Sequence, residues 1–327
     1  MAARSDSSTP KEKKASQPKD SPLKTARPKK KAAPQEPVRQ NRTLWGDAWN
    51  RLKKNKLAVF GFCWIIFMIL VALTADLWAP QLLGSPTFVD TTMTASMSRI
   101  PPSLQHPFGT DSLGRDEMVR VIYGARVSLS IGVIAMSISL VIGLVLGTVA
   151  AYFGGIWDSI IMRGTDIFMA FPYVLFAIIL LAALGPSFTN MFLAIGLIGW
   201  TSIARVVRSL ILQTKENDYV AAARALGARN LRIIMRHILP NSIAPVVVYA
   251  TMGIGAAILS EAALSFLGLG IQPPTPSWGL MIADAQQYLV VAPWLVFCPG
   301  LAILLTVLSF VLLGDGLRDA MDVKVAE

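Results

Sequence analysis

Charged side chains are scarce in this sequence, because only 15% of its 327 residues are Asp, Glu, Lys or Arg while 54% are hydrophobic. A soluble domain of this length would be more polar, so the composition favours a membrane protein with several spans. Cysteine is also scarce, since the sequence has only Cys63 and Cys298, and both lie in apolar stretches. This pattern indicates neither a disulfide nor a metal site, and small apolar packing is the expected role of both thiols.

Two further absences limit the function. The sequence has no G-x-x-x-x-G-K-[ST] phosphate loop, so the chain does not hold a nucleotide by that means. Its two histidines, His106 and His237, fall on opposite sides of the predicted membrane and so cannot share a site. We therefore expect a chain that is not an enzyme, that binds no cofactor or metal, and that takes its energy from another subunit.

Positive charge is concentrated before the first span. Residues 1–56 contain 16 Lys and Arg and 5 Asp and Glu, whereas the other 271 residues contain 14 and 15. Residues 1–43, which are rich in Lys, Pro, Ser and Ala, have the composition of a disordered tail. Such a basic tail holds the N-terminus in the cytoplasm or contacts anionic lipid. Nucleic-acid binding is the alternative, but no base-reading module accompanies the charge, and we expect none.

Residues 44–56 are predicted to form an amphipathic helix that lies in the membrane surface and contacts lipid. Basic residues cover its other face and its end. The apolar face consists of Leu44, Trp45, Ala48, Trp49 and Leu52.

Six apolar stretches are long enough to cross a hydrocarbon core of about 30 Å. With the N-terminus inside, six spans return the C-terminal tail, residues 323–327, to the cytoplasm. The sequence thus predicts an all-α, multi-pass protein of the cell membrane, with a transmembrane domain over residues 57–322. The predicted spans are residues 57–78, 127–153, 160–184, 188–212, 240–267 and 293–313.

The polar segment between the fourth and fifth spans, residues 213–239, is predicted to be cytoplasmic, because arginine is frequent in it and just before it. Helical spacing predicts a short amphipathic helix that ends at Gly227, and a second helical segment that ends at Pro240. From composition alone, an ordinary helical loop explains the segment equally well. The residues on one side of the first helix are Tyr219, Val220, Ala222, Ala223 and Leu226.

This segment resembles the E-A-A-x-x-x-G-x9-I-x-L-P loop of ABC importer permeases. Two positions depart from that loop, since Ala221 stands at the glutamate and His237 at the isoleucine. The departure at Ala221 removes a charge from the contact that the loop makes with an ATPase. The matching residues are Ala222, Ala223, Gly227, Leu239 and Pro240.

Other motifs narrow the resemblance to the C-type subunit of the dipeptide/oligopeptide permease family, over residues 45–322. They occur in the family's order and are separated along the chain. The motifs are HPFGTDSLGRD at 106–116, YGARVSL at 123–129, LSEAALSFLGLGIQPPTPSWG at 259–279 and LGDGLRDAMD at 313–322.

The resemblance implies a type I ABC importer permease fold with six transmembrane helices and a cytoplasmic coupling helix. It implies a heterodimer with a second, B-type permease, two cytosolic ATPase subunits that bind ATP and Mg, and an extracytoplasmic substrate-binding protein. Short peptides are the implied substrate, although glutathione and nickel chelates are carried by similar permeases. The implied ATPase-coupling residues are Tyr219, Ala221, Ala222, Ala223, Gly227, Arg232, His237, Leu239 and Pro240.

Three ionisable residues within the spans are candidates for translocation or gating. Arg163 and Asp166 are three positions apart and are expected to pair on one helix face, as a structural pair rather than a transport site. Glu261 should face the bundle or a wet cavity. It could contact the amino group of a peptide, or be hydrogen-bonded within the packing, and we expect packing or gating.

Glycines in the second and fifth spans, including Gly132, Gly143, Gly147, Gly253 and Gly255, allow helices to approach closely. Both packing within the chain and contact with a partner permease explain them. Pro172 is expected to bend the third span.

Two other functions remain open at this point. A self-sufficient secondary transporter is disfavoured, because such proteins keep ionisable groups near the midplane and this chain has few. A membrane-anchored binder of nucleic acid or lipid would use the basic tail instead of the spans.

Overall fold

The computed structural model describes residues 44–83 and 97–321. The predicted tails at 1–43 and 323–327 therefore lie outside the described residues. Within these ranges the chain is mainly helical. The helices are α1 (Leu44–Leu52), α2 (Lys56–Leu83), α3 (Glu117–Phe153), α4 (Gly155–Ala170), α5 (Tyr173–Leu184), α6 (Phe188–Lys215), α7 (Asp218–Ala225), α8 (Asn230–Ile233), α9 (Leu239–Phe266), α10 (Trp278–Ala285) and α11 (Trp294–Met321).

Each of the predicted spans has a counterpart among these helices. By length and composition, five helices of the described chain can cross a membrane, and the bent pair of α4 and α5 makes six if it counts as one span. The second span is longer than expected, because α3 begins at Glu117 rather than near residue 127. At 1.5 Å per residue α3 is about 55 Å long, so its first turns project beyond a hydrocarbon core of about 30 Å.

The third span is not one straight helix over 160–184, as the sequence predicted. It divides at Phe171 and Pro172 into α4 and α5, which meet at 88°. Proline drives the residue before it out of the helical region, and Phe171 accordingly has an extended conformation with ψ 138°. Pro172 also lacks the N–H that would continue the α4 hydrogen-bond ladder. The expected bend at Pro172 is thus a complete break.

The first predicted helix ends at Leu52, four residues earlier than the sequence indicated. Asn55 then starts α2, because its side-chain oxygen accepts hydrogen bonds from the backbone N–H groups of Leu57 and Ala58. Ala48 and Leu52 of α1 are buried against the start of α2 and the end of α11. Part of the face expected to enter lipid therefore packs on protein.

Close helix contacts within this one chain explain the span glycines. A Cβ atom at Gly147 of α3 would lie 2.5 Å from the backbone oxygen of Ala204 in α6, and one at Gly143 would lie 2.6 Å from the Ile203 side chain. Gly132 and Gly253 face side chains of the same chain at similar distances. The choice left open by the sequence is decided in favour of packing within the chain.

We predict that Gly147→Val destabilises the chain, because the new side chain would collide with the α6 backbone. Overpacking of this kind costs about 1–3 kcal/mol, which corresponds to a melting temperature lower by about 5 °C. Thermal melting of the purified protein in detergent measures the effect. Gly164→Val is the matched control, since a Cβ at Gly164 in α4 meets no atom within 4 Å. Equal melting temperatures for the two variants would contradict the prediction.

Candidate functional site

The segment between α6 and α9 forms a compact helical turn. Helix α7 ends at Ala225, and the turn that follows contains a residue in the left-handed conformation, Gly227, with φ 78°. The N–H of Gly227 donates to the oxygen of Arg224 and the N–H of Ala228 to that of Ala223. This pair of bonds is the Schellman arrangement, in which glycine is favoured because it adopts positive φ without strain. The predicted end of the first helix at Gly227 is confirmed.

Hydrogen bonds join the last residue of α6 and this segment to the end of α3. The ammonium group of Lys215 donates to the backbone oxygen of Tyr152 at 2.7 Å and to that of Ala151 at 3.3 Å. The Tyr152 hydroxyl donates to the side-chain oxygen of Asn230 at 2.9 Å. Val220 is fully buried in an apolar cluster that also includes Tyr152 and Ile233. A displacement of the segment therefore acts directly on the C-terminal turn of α3.

The outer side of the same segment is apolar and exposed. Leu226 is 88% exposed, Leu231 71% and Met235 59%. The sequence grouped Leu226 with Val220 on one side of the helix, but the two differ in exposure, because the helix ends before Leu226 while Val220 is fully buried. Leu231 and Met235 were missed, although an apolar residue among arginines in a segment outside the spans was the signal that could have revealed them.

The connection to the fifth span also differs from the prediction. Pro240 lies at the start of the fifth span, as expected, but the helical segment does not stop there, because α8 continues through a π-helical turn, Ile234–Ile238, directly into α9. In this turn the N–H of Leu239 donates to the oxygen of Ile234, five residues earlier. Pro240 lies in the first turn of α9, so its missing N–H falls where the π-helical turn changes to the α-helix. The segment and the fifth span are thus mechanically continuous.

The predicted coupling residues all lie on this continuous segment, but they differ in exposure. Ala223, His237 and Leu239 are half-buried. The others are exposed, and they are Tyr219, Ala221, Ala222, Gly227, Arg232 and Pro240. The exposed alanines have short side chains, so another protein surface could approach the α7 backbone closely.

The expected ion pair between Arg163 and Asp166 is not formed. Asp166 of α4 instead pairs with Arg205 of α6 at 2.9 Å, and Asp158 accepts from Nε and Nη2 of Arg208 at 2.5 and 2.7 Å. The side chain of Arg163 is exposed. Acidic groups on α4 and arginines on α6 therefore join two helices, a contact between elements that spacing along one helix does not reveal.

Glu261 of α9 is fully buried and hydrogen-bonded. It accepts from the Ser128 hydroxyl of α3 at 2.9 Å and from the Ser265 hydroxyl of α9 at 2.7 Å. Ser277, which caps α10, hydrogen-bonds to it as well. Glu261 thus joins α3, α9 and α10, and of the two roles considered from the sequence this geometry fits packing.

Helix α10 is held beside this carboxyl by further close contacts. Trp278 is fully buried and its ring N–H donates to the oxygen of Val121 at 2.9 Å. A Cβ at Gly279 would lie 2.5 Å from the backbone oxygen of Ala262, and one at Gly124 would lie 3.0 Å from the Trp278 ring. The residues of the S-W-G sequence are therefore required to place α10 against α3 and α9.

An ionic cluster lies before α3, in the segment predicted to be outside the membrane. Asp111 pairs with Arg115 at 2.7 Å and approaches Arg120 at 3.5 Å, and His106 contacts Asp116 at 2.9 Å. Asp284 of α10 faces the same polar cleft. Partial burial raises the pKa of the Asp284 carboxyl, an effect that the nearby Arg120 and Arg115 oppose. The sequence had shown only that this segment is charged, not that its charges are paired and buried.

The long apolar helices, the exposed helical segment between two of them and the ordered polar segment before α3 are features of a multi-pass membrane protein. Residues 139–327 match the family described as "Binding-protein-dependent transport system inner membrane component", and residues 43–102 match the N-terminal transmembrane domain of oligopeptide transport permease C. The chain belongs to the family of binding-protein-dependent transport system inner membrane components. The expectation of a transport permease subunit rather than an enzyme is confirmed.

Curated relatives and one solved structure agree with this family. The chain is 46% identical to the dipeptide transport system permease protein DppC of Alkalihalophilus pseudofirmus, over 86% of this chain and 90% of that protein. It is 44% identical to the glutathione transport system permease protein GsiD of Escherichia coli strain 536, over 88% and 92%. A chain of the inward-facing methionine ABC transporter MetNI superposes with a TM-score of 0.50 at 19% identity, over 62% of this chain and 95% of that chain. The predicted importer permease fold is confirmed.

We predict that Glu261→Ala destabilises the chain more than Glu261→Gln. Alanine leaves three hydroxyl groups without their acceptor, and unsatisfied buried groups cost about 1–3 kcal/mol each, whereas glutamine keeps one side-chain oxygen. Thermal melting and the yield of membrane-inserted protein measure the difference. Thr251→Ala is the control, because the Thr251 hydroxyl bonds only within its own helix. A Glu261→Gln variant that assembles normally but loses most uptake would instead indicate a role for the charge.

Proposed function

We propose that this chain is one of two permease subunits of an ATP-driven importer that carries short peptides into the cell. The observation that supports it best is the exposed apolar surface of the segment from α7 to the π-helical turn, formed by Leu226, Leu231 and Met235. We call these three residues the docking surface. Large apolar side chains at the end of a span, beside arginines rather than among lipid-facing residues, are typical of a protein interface.

The docking surface fits a cytosolic ATPase. No phosphate loop occurs in the sequence, so the nucleotide must be bound by another chain. Exposed Ala221 and Ala222 allow that chain to approach the α7 backbone, and the three apolar side chains would enter a groove on it. With alanine rather than glutamate at position 221, this docking depends on shape and apolar contact more than on an ion pair.

Movement of the docked ATPase would reach the spans through two connections. One is the contact of Lys215 and Asn230 with the end of α3. The other is the unbroken path through the π-helical turn into α9. Two ATPase subunits and a second, B-type permease complete the assembly in this proposal, and a binding protein delivers the substrate from outside.

The proposed orientation has both termini in the cytoplasm. Six crossings put the start of α2, the docking surface and the end of α11 on one side. Basic residues lie at all three places, as Lys56, Arg232 and Arg318 illustrate. An excess of arginine and lysine near spans favours the cytoplasmic side. Two elements would then face the binding protein, namely helix α10 and the segment that precedes α3.

Short peptides are proposed as substrates because both of the relatives described above carry them. One is named for dipeptides and the other for glutathione, a tripeptide, and the chain is similarly close to the two. A chelated metal is the alternative cargo. Uptake of labelled dialanine, glutathione and a nickel chelate by the assembled transporter, with its own binding protein, decides among them.

We predict that Leu226→Asp weakens association with the ATPase subunits. A charge in an apolar groove loses both the buried contact and its own hydration, so affinity should fall by about tenfold or more. Co-purification of ATPase subunits with the tagged chain measures it. Gln213→Asp is the control, because it introduces the same charge at an exposed site before α7. Unchanged co-purification of the Leu226 variant would contradict the proposed docking surface.

We predict that Gly227→Val uncouples ATP hydrolysis from transport without preventing membrane insertion. A Cβ there meets no atom within 4 Å, but φ 78° strains a branched residue by about 1–3 kcal/mol, so the turn should change shape. Gly227→Asn is the matched control, because asparagine tolerates this conformation. Substrate-stimulated ATPase activity and uptake are measured in proteoliposomes. Normal stimulation in the valine variant would be evidence against the coupling role.

A further inference from the structure

A cavity of about 250 Å³ opens among α3, α5, α6 and α9. Its walls are mostly small or apolar, with hydroxyl groups interspersed. No Asp, Glu, Lys or Arg is among the described residues that line it. The hydroxyl-bearing residues of the wall are Ser139, Tyr173, Ser202, Tyr249 and Ser260.

The cavity lies about midway along the spans. Ser139 is 14 residues before the end of α3 at Phe153, and Ser202 is 13 residues before the end of α6 at Lys215. At 1.5 Å per residue, both are about 20 Å from the helix ends that carry the coupling segment. Ser139 and Ser202 therefore lie within the thickness of a hydrocarbon core of about 30 Å.

Three of the five hydroxyl groups are satisfied within the chain. Ser139 donates to the oxygen of Gly196 at 2.8 Å, and Ser260 donates to that of Ala256 at 2.9 Å. Tyr173 hydrogen-bonds to Ser260. Within the part of the chain that the structure describes, Tyr249 and Ser202 have no hydrogen-bond partner.

Two unbonded hydroxyl groups at this depth need an explanation. A polar group in hydrocarbon costs several kcal/mol unless it is hydrogen-bonded, so lipid alone is a poor neighbour for both. Their partner must come from water, from a substrate or from another protein. Because the cavity is open at the surface of the chain and Ala256 is exposed on its wall, each of these can reach it.

We infer that this cavity is part of the translocation pathway and that Tyr249 and Ser202 bind the amide backbone of a passing peptide. The inference rests on the proposed function. A hydroxyl group both donates and accepts, which matches an amide that offers one N–H and one C=O. The apolar wall tolerates varied side chains. Because the wall carries no fixed charge, it favours neither acidic nor basic peptides.

The first experiment removes the two hydroxyl groups. The Tyr249→Phe/Ser202→Ala double variant keeps the ring and the packing, and it is compared in the complete transporter, reconstituted in proteoliposomes with its binding protein. Uptake of labelled dialanine per assembled complex should fall about tenfold, the loss expected for two ordinary hydrogen bonds. Uptake equal to that of the unaltered complex would overturn the inference.

The matched control is the Ser137→Ala/Thr251→Val variant. These two hydroxyl groups lie on α3 and α9, whereas the test pair lies on α6 and α9, but each donates to a carbonyl of its own helix and neither lines the cavity. Its uptake should stay within about twofold of the unaltered complex, because bonds to the own helix contribute little to transport. An equal fall in both variants would mean that the test pair acts through general helix packing, which also overturns the inference.

A second experiment does not depend on the identity of the substrate. In a Cys63→Ala/Cys298→Ala background, cysteine is placed at Ala256 on the cavity wall, or at Leu73, an exposed residue of α2 outside the cavity. A water-soluble thiol reagent should label the assembled complex at position 256 and not at 73. Failure to label position 256 would show that the second permease or lipid fills the cavity, and would overturn the inference.

The proposed function and this inference fail in different ways. A complex that hydrolyses ATP, labels at position 256 and takes up another solute but no dialanine would contradict the peptide assignment, and with it the backbone contacts. A chain that associates with no ATPase subunit would contradict the proposed function as a whole. Uptake of dialanine that is insensitive to the hydroxyl groups would contradict only the inference.

Discussion

The hydrocarbon core of a membrane offers no water to a polar group, and this constraint accounts for most of the arrangement described above. Backbone groups are satisfied within helices, and several buried side chains find partners on other helices. Trp64 of α2 donates to the Thr306 hydroxyl of α11 at 3.2 Å, and Glu261 collects hydroxyl donors from α3, α9 and α10. Departures from the rule therefore carry information. Apolar residues left exposed beyond a span fit the proposed docking surface, and unbonded hydroxyl groups that line an open cavity within the spans fit the inferred pathway.

Helix α3 connects every region to which a role is assigned. Its N-terminal cap, Asp116, belongs to the ionic cluster, and Ser128 one third of the way along bonds to Glu261. Ser139 lines the cavity, and Tyr152 in the last turn contacts the coupling segment. A rigid displacement of this helix at Tyr152 would therefore alter the cavity and the outer segment together. Close packing of Gly143 and Gly147 on α6 makes α6 move with it, since no compressible layer separates the two backbones.

Hydropathy was sufficient to predict the spans, because a run of about 20 apolar residues has few other stable locations. The turn at Gly227 was also predictable, as only glycine adopts its φ readily. The remaining features depend on contacts between distant segments. Asp166 pairs with Arg205 rather than with Arg163, because a helix 39 residues away along the chain presents a better-placed guanidinium. The three serine partners of Glu261 and the outward direction of Leu226 similarly follow from how helices meet, which spacing along one helix does not encode.

A permease for chemically varied peptides gains from keeping fixed charge out of its pathway. A carboxylate on the cavity wall would attract basic peptides and repel acidic ones, and burying an unpaired charge near the midplane costs about 3 kcal/mol even before any substrate arrives. In this chain the acidic residue next to Ser260 is Glu261, and it faces away from the cavity, fully buried among hydroxyl groups. The polar groups of the cavity wall are hydroxyl groups, which can hydrogen-bond to the amide backbone that every peptide shares. Under the proposed function, discrimination among peptides falls to the binding protein, the spans provide the path, and the docking surface links the path to the ATPase.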